Sequence, residues 1–112
     1  MAKVTRGDAI EAATTALDNL QDNDLVASAV RTSLDWLATE HPGRAVEVRV
    51  PPYRAVQILG GTTHRRGTPP AVVEMSAQTW LELFTKKLTW TDALSSGQVV
   101  ASGERSDLSE LF

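Results

Sequence analysis

The two imidazoles in the chain, His41 and His64, stand 23 residues apart. Neither belongs to a His-x-x-x-His pair, and no paired carboxylates accompany them, so a helix-borne metal site finds no ligands. Cysteine is absent, which removes thiolate metal sites, cysteine nucleophiles and disulfide frameworks together. No Gly-x-Ser-x-Gly elbow surrounds a serine, and Ser95-Ser96-Gly97 reads as a helix end. The run Gly60-Gly61-Thr62-Thr63-His64-Arg65-Arg66 has the outline of a phosphate loop. It lacks the Gly-Lys-Ser/Thr ending and opens no helix, so it reads as a hairpin turn. These patterns predict neither an enzyme nor a metal or cofactor site.

Binding chemistry is left, carried by charge and by aromatic side chains. The net charge of −3 is uneven: residues 1–42 carry −4, residues 43–66 carry +4 and residues 67–112 carry −3. The basic middle contains Arg49, Arg54, Arg65 and Arg66, which either decorate a solvent-facing sheet or attract an anion. Bases would need aromatic platforms on the strands. The expected strands have none, and Tyr53 falls in a turn, so nucleic acid is not an expected partner. Four of the six aromatics, Trp80, Phe84, Trp90 and Phe112, lie after residue 75. Leu81, Leu83, Leu88, Leu94, Leu108 and Leu111 accompany them. This cluster suits both a filled core and a cleft for an apolar ligand.

The elements that must position the cluster follow from periodicity. Asp8 to Glu11 looks like a capping box opening a first helix, and Asp24 looks like the cap of a second. His41-Pro42-Gly43 ends the second helix. The period then drops to two: Val46, Val48 and Val50 alternate with polar or small residues, and Arg54 to Leu59 alternates again after Pro51-Pro52. Thr62 to Arg66 reads as a polar edge strand and Ala71 to Met75 as a further strand. Ser76 caps a helix bearing Trp80, Leu81, Phe84 and Leu88 on one face. Thr89 caps a short helix over Trp90 to Leu94, and Gly97 stops it. Gln98 to Ser102 is the last strand, and Asp107 to Phe112 is a closing helical piece. Consecutive hairpins predict an antiparallel sheet with helices on one face, an α+β domain. The longest stretch without a charged residue, Ala93 to Gly103, has 11 residues, too few to span a bilayer. Met1 to Arg6 is polar and lacks a signal-peptide pattern. One domain over 1–112 is expected, with residues 1–7 disordered.

The C-terminal residues resemble a known family. Val72-Val73-Glu74-Met75-Ser76, Trp80-Leu81-Glu82-Leu83-Phe84, Lys87-Leu88, Asp92-Ala93-Leu94, Gly97-Gln98-Val99 and Ala101-Ser102-Gly103 are similar in order and spacing to the sterol carrier protein 2 (SCP2)-like family. That resemblance covers residues 70–112. The turns Arg49-Val50-Pro51-Pro52 and Arg66-Gly67-Thr68-Pro69-Pro70 resemble those of small single-domain actinobacterial members. The resemblance implies a mostly antiparallel five-stranded sheet covered on one face by helices, in the order ααβββ(β)ααβα. It also implies an apolar cavity of the kind relatives use for lipids or fatty acyl chains. The helical pair over residues 8–39 is longer than the family's single leading helix. The absence of a targeting tripeptide at Phe112 agrees with a cytoplasmic bacterial protein.

The expected function is therefore a non-enzymatic carrier of an apolar or amphipathic molecule. Trp80, Phe84, Leu88, Trp90, Leu94, Leu108, Leu111 and Phe112 are the expected lining, with Asp107 to Phe112 as a lid. Arg49, His64 and Arg66 are the candidate contacts for a polar headgroup. The alternative is an accessory protein-interaction module with a filled core, whose Arg54, Arg65 and Arg66 meet an acidic partner or a second copy.

Overall fold

A computed structural model describes residues 3–60, 71–103 and 106–112. Two helices open the chain, α1 (Arg6–Leu17) and α2 (Asn23–Glu40). Strands β1 (Val46–Val50), β2 (Arg54–Ile58) and β3 (Ala71–Met75) follow. Helices α3 (Ala77–Phe84) and α4 (Trp90–Ser95) lead to β4 (Val99–Ser102) and a closing 3₁₀ turn, Ser109–Leu111.

Both N-terminal caps lie upstream of the expected ones. Thr5 caps α1: its hydroxyl accepts the Asp8 N–H at 3.1 Å, and the Asp8 carboxylate accepts the Thr5 N–H at 3.3 Å. Asp8 is thus the third residue of the capping box rather than its first. Asp22, not Asp24, caps α2, accepting from the N–H groups of Asp24 and Leu25 at 3.1 Å each. Ser76 and Thr89 cap α3 and α4 as the sequence predicts.

The architecture is α+β, but the sheet is mixed and has four strands among the described residues, in the order β2-β1-β3-β4. β1 pairs antiparallel with β2 and parallel with β3, and β3 pairs antiparallel with β4. This corrects the mostly antiparallel, five-stranded expectation. β3 runs opposite to β2 and pairs with the other edge of β1, which makes that contact parallel. Two bonds pin the crossing point: the Ala45 N–H donates to the Leu59 carbonyl, and the Ala71 N–H to the Ala45 carbonyl, each at 2.9 Å. The expected strand over Thr62 to Arg66 lies outside the described residues. The final helix is reduced to a three-residue 3₁₀ turn.

One sheet face carries Val46, Val48, Val50, Ile58, Val73, Met75 and Val99, all buried. Helix α2 packs on β2, and α1 packs on both α2 and α3. Three alanines of α1, Ala9, Ala13 and Ala16, are fully buried; small side chains at that spacing bring helix backbones close. The other sheet face is open, with Arg49, Ala55, Gln57, Glu74 and Val100 exposed.

Candidate functional site

Helix α3 carries the centre of the aromatic cluster. Trp80 is fully buried, and its Nε1–H donates to Ser33 Oγ on α2 at 2.8 Å. Ser33 in turn donates to the Ala29 carbonyl at 2.6 Å, so both buried polar groups are satisfied. Around Trp80 runs a row of rings. Trp36 meets Phe84 edge-on at 5.8 Å, Phe84 meets Trp80 at 5.5 Å, Trp80 meets Phe112 edge-on at 5.7 Å, and Phe112 stacks on Trp90 at 6.0 Å. Such separations fall within the favourable range for aromatic pairs. The row links α2, α3, α4 and the C-terminal turn.

The end of α3 shapes the surface beside this row. The helix stops at Phe84 instead of continuing to Leu88. The Lys86 N–H donates to the Leu83 carbonyl at 3.1 Å and the Lys87 N–H to the Glu82 carbonyl at 2.8 Å. Those two bonds form a Schellman motif with Lys86 at its left-handed position, φ 64°. The chain then turns into α4 and leaves a groove of about 290 Å³. Its apolar walls are Leu83, Leu88, Trp90 and Phe112, and its polar rim is Lys86, Thr89, Thr91 and Ser109. Leu83 and Trp90 are buried, whereas Leu88 and Phe112 are half-buried.

The closing turn forms one wall and is fixed by few bonds. The Asp107 carboxylate accepts the Ser109 N–H at 2.9 Å. Hydrogen bonds from the Ser109 backbone and hydroxyl hold that carboxyl below its usual range. Trp90 Nε1 is buried and has no hydrogen-bond partner among the described residues.

The expected lining residues divide into three groups. Leu88, Trp90 and Phe112 line the groove. Trp80, Phe84 and Leu108 are in the buried core, and Leu111 is half-buried against it. Leu94 is 40% exposed on α4 and is not among the groove residues. The expected headgroup residues do not gather here. Arg49 projects from the open sheet face and donates to Glu47 Oε1 at 2.8 Å; His64 and Arg66 lie outside the described residues. Arg54 shares a face with Val56 and Ile58, as its alternation predicts, and so does not join the open face as a contact for an acidic partner. It sits opposite Val50 on the helix side of the sheet and pairs with Asp35 of α2 at 2.7 Å. Among the described residues, the open face therefore presents Arg49 with Glu47 and Glu74, not a basic surface.

Sequence reasoning missed Leu83, Lys86, Thr89, Thr91 and Ser109 as groove residues, and Trp36 as a member of the aromatic row. Only the early end of α3 brings Lys86 to the rim, and no local pattern announces that end. Trp36 lies 44 residues before Trp80, so only the packing of α2 on α3 unites them. Among the described residues, no group of three His, Asp or Glu is placed to hold a metal ion. No described helix is long and apolar enough to cross a membrane.

Comparison with known families identifies the surrounding fold. The family model for the bacterial SCP ortholog matches residues 22–112. The chain belongs to that SCP2-like bacterial family. The match takes in α2, the whole described sheet, α3, α4 and the closing turn, and therefore every residue of the groove. Helix α1 precedes it. No curated protein matches this SCP-type chain at a significant level.

Proposed function

We propose that the protein is a non-enzymatic carrier, acting in the cytoplasm, that holds an apolar or amphipathic molecule of the lipid or fatty acyl type. The observation supporting this reading is the groove against Trp90 and Phe112, set within a segment matched by the SCP family. Its size is near the lower end of the roughly 300–1,000 Å³ common for small-ligand sites, which suits a single slender chain. Each buried methylene contributes about 0.8 kcal/mol, so affinity can arise without a catalytic group. Because the groove is open on one side and walled by the C-terminal turn, a small outward movement of Phe112 would lengthen it toward Trp80. Native mass spectrometry of protein purified from its host tests the reading, together with displacement of a fluorescent fatty acid. An unliganded spectrum combined with no fatty acid binding would sink it.

A further inference from the structure

The groove has a single charged side chain on its rim, Lys86. No acidic side chain is among its lining residues, and no described carboxylate lies within ion-pair distance of Lys86. Three other grooves among the described residues differ in this respect. The one between α1 and α2 has Asp8 and Glu11, the one at the Pro51-Pro52 turn includes Glu74, and the one beside Trp36 includes Glu40. The backbone of Lys86 adds an independent observation. A left-handed φ of 64° at the end of a helix is the place where glycine is ordinarily found. A lysine there carries backbone strain that glycine would relieve. Strain at a groove rim is a reason to look for a role of the side chain itself. Lys86 is exposed and lines the groove together with Leu83 and Leu88, where a lysine stem can cover apolar surface while the ammonium stays wet.

We infer that Lys86 determines specificity in this groove, selecting amphiphiles with an anionic head over neutral ones of equal chain length. The inference rests on the carrier reading and adds the chemistry of the head to it. Leu83, Leu88, Trp90 and Phe112 hold the chain, and Lys86 meets a carboxylate or phosphate at the mouth. Thr89, Thr91 and Ser109 supply hydroxyls on the same rim. Arg49 plays no part, because it is engaged with Glu47 on the open sheet face.

The test titrates the full chain with decanoate and 1-decanol below their aggregation limits, following tryptophan emission, with acetate and inorganic phosphate as head-only probes. Decanoate is expected to bind about five-fold more tightly than decanol, the upper value for a solvent-exposed ion pair. The difference should close at high salt. In Lys86→Gly the two affinities become equal while the thermal midpoint stays the same or rises, since glycine relieves the strained φ. Lys86→Asn, which also tolerates a left-handed φ, provides the same reading if the glycine variant folds poorly. Lys87→Ala leaves the preference intact. Preference retained in both Lys86 variants overturns the inference, as does equal binding of decanoate and decanol by the unaltered protein; in either case the carrier reading stands. Acetate or phosphate binding as tightly as decanoate also overturns it, because the chain then contributes nothing. Failure to bind either ten-carbon probe overturns the inference and the carrier reading together.

Discussion

Removing the hydroxyl of Ser33 isolates one polar contact in the core and predicts its cost. Ser33 and Trp80 are both fully buried, and Ser33 Oγ is the acceptor for the indole N–H. Ser33→Ala leaves that donor without a partner, where water does not reach. An orphaned buried donor costs about 1–3 kcal/mol. The alanine recovers roughly 0.5 kcal/mol through helix propensity within α2, so the net loss is about 0.5–2.5 kcal/mol. For a chain of this size the unfolding entropy is about 2.1 cal/mol/K per residue, and each kcal/mol lowers the thermal midpoint by roughly 4 °C. The expected fall is therefore about 2–10 °C, checked by urea melts and thermal scans followed by circular dichroism. The decisive assay is a double-mutant cycle with Trp80→Phe, which removes the donor. In that background Ser33→Ala should be neutral or slightly stabilising, giving a coupling of about 1 kcal/mol or more. A coupling near zero would refute the reasoning, because Ser33 and Trp80 would then contribute independently.

Three further outcomes are expected. Gly43→Ala destabilises the protein by more than about 2 kcal/mol in urea melts, since a Cβ there overlaps the Leu59 carbonyl, with φ at 148°. Thr5→Ala removes the α1 cap and costs about 0.5–2 kcal/mol in the same assay, with the α2 cap unaffected. The Asp107 carboxyl is depressed in the folded state, so its contribution to seating the closing turn is complete above the unperturbed 3.8 and is lost as pH falls through the lower folded value. Near-UV circular dichroism of Trp90 and Phe112 should therefore lose intensity below about pH 3.8, and Asp107→Ala, which removes the acceptor of the Ser109 N–H, should already show the weakened signal at neutral pH.

Much of the fold was legible because it is written locally. Val46, Val48 and Val50 alternate cleanly, and β1 runs from Val46 to Val50. Ser76, Thr89 and Gly97 sit where α3 begins and α4 begins and ends. Alternation states which face a residue takes, but it does not state which strand lies alongside. The parallel pairing of β1 with β3 is therefore not legible in the sequence, whereas the turn at Pro51-Pro52 between β1 and β2 is. Sequence pattern places the cap of α1 one turn late, because Asp8 belongs to the same box that Thr5 opens. In the site, the aromatic side chains were recognisable by type, yet type does not separate Trp80, which holds the core together, from Trp90 and Phe112, which border solvent-facing space. Arg54 is exposed, as its type predicts, but alternation alone does not reveal the ion pair it makes with Asp35 of α2. The rim lysine is not legible in the sequence, because the left-handed turn at Lys86 has no glycine to mark it.

The seat of α1 has a consequence for how the protein can be cut. The family match begins at residue 22, after α1 has ended at Leu17. Yet Ala9, Ala13 and Ala16 of that helix are fully enclosed against its neighbours. The recognisable unit and the cooperative folding unit therefore have different edges: one falls in the short connection before α2, while the other runs lengthwise along a helix interface. A chain trimmed to the matched segment would retain every groove residue and still expose the faces of α2 and α3 that α1 now shelters. Such a chain must find another cover for them, from larger side chains or from a neighbouring molecule. Sequence kinship and physical self-sufficiency here are measured from different starting points.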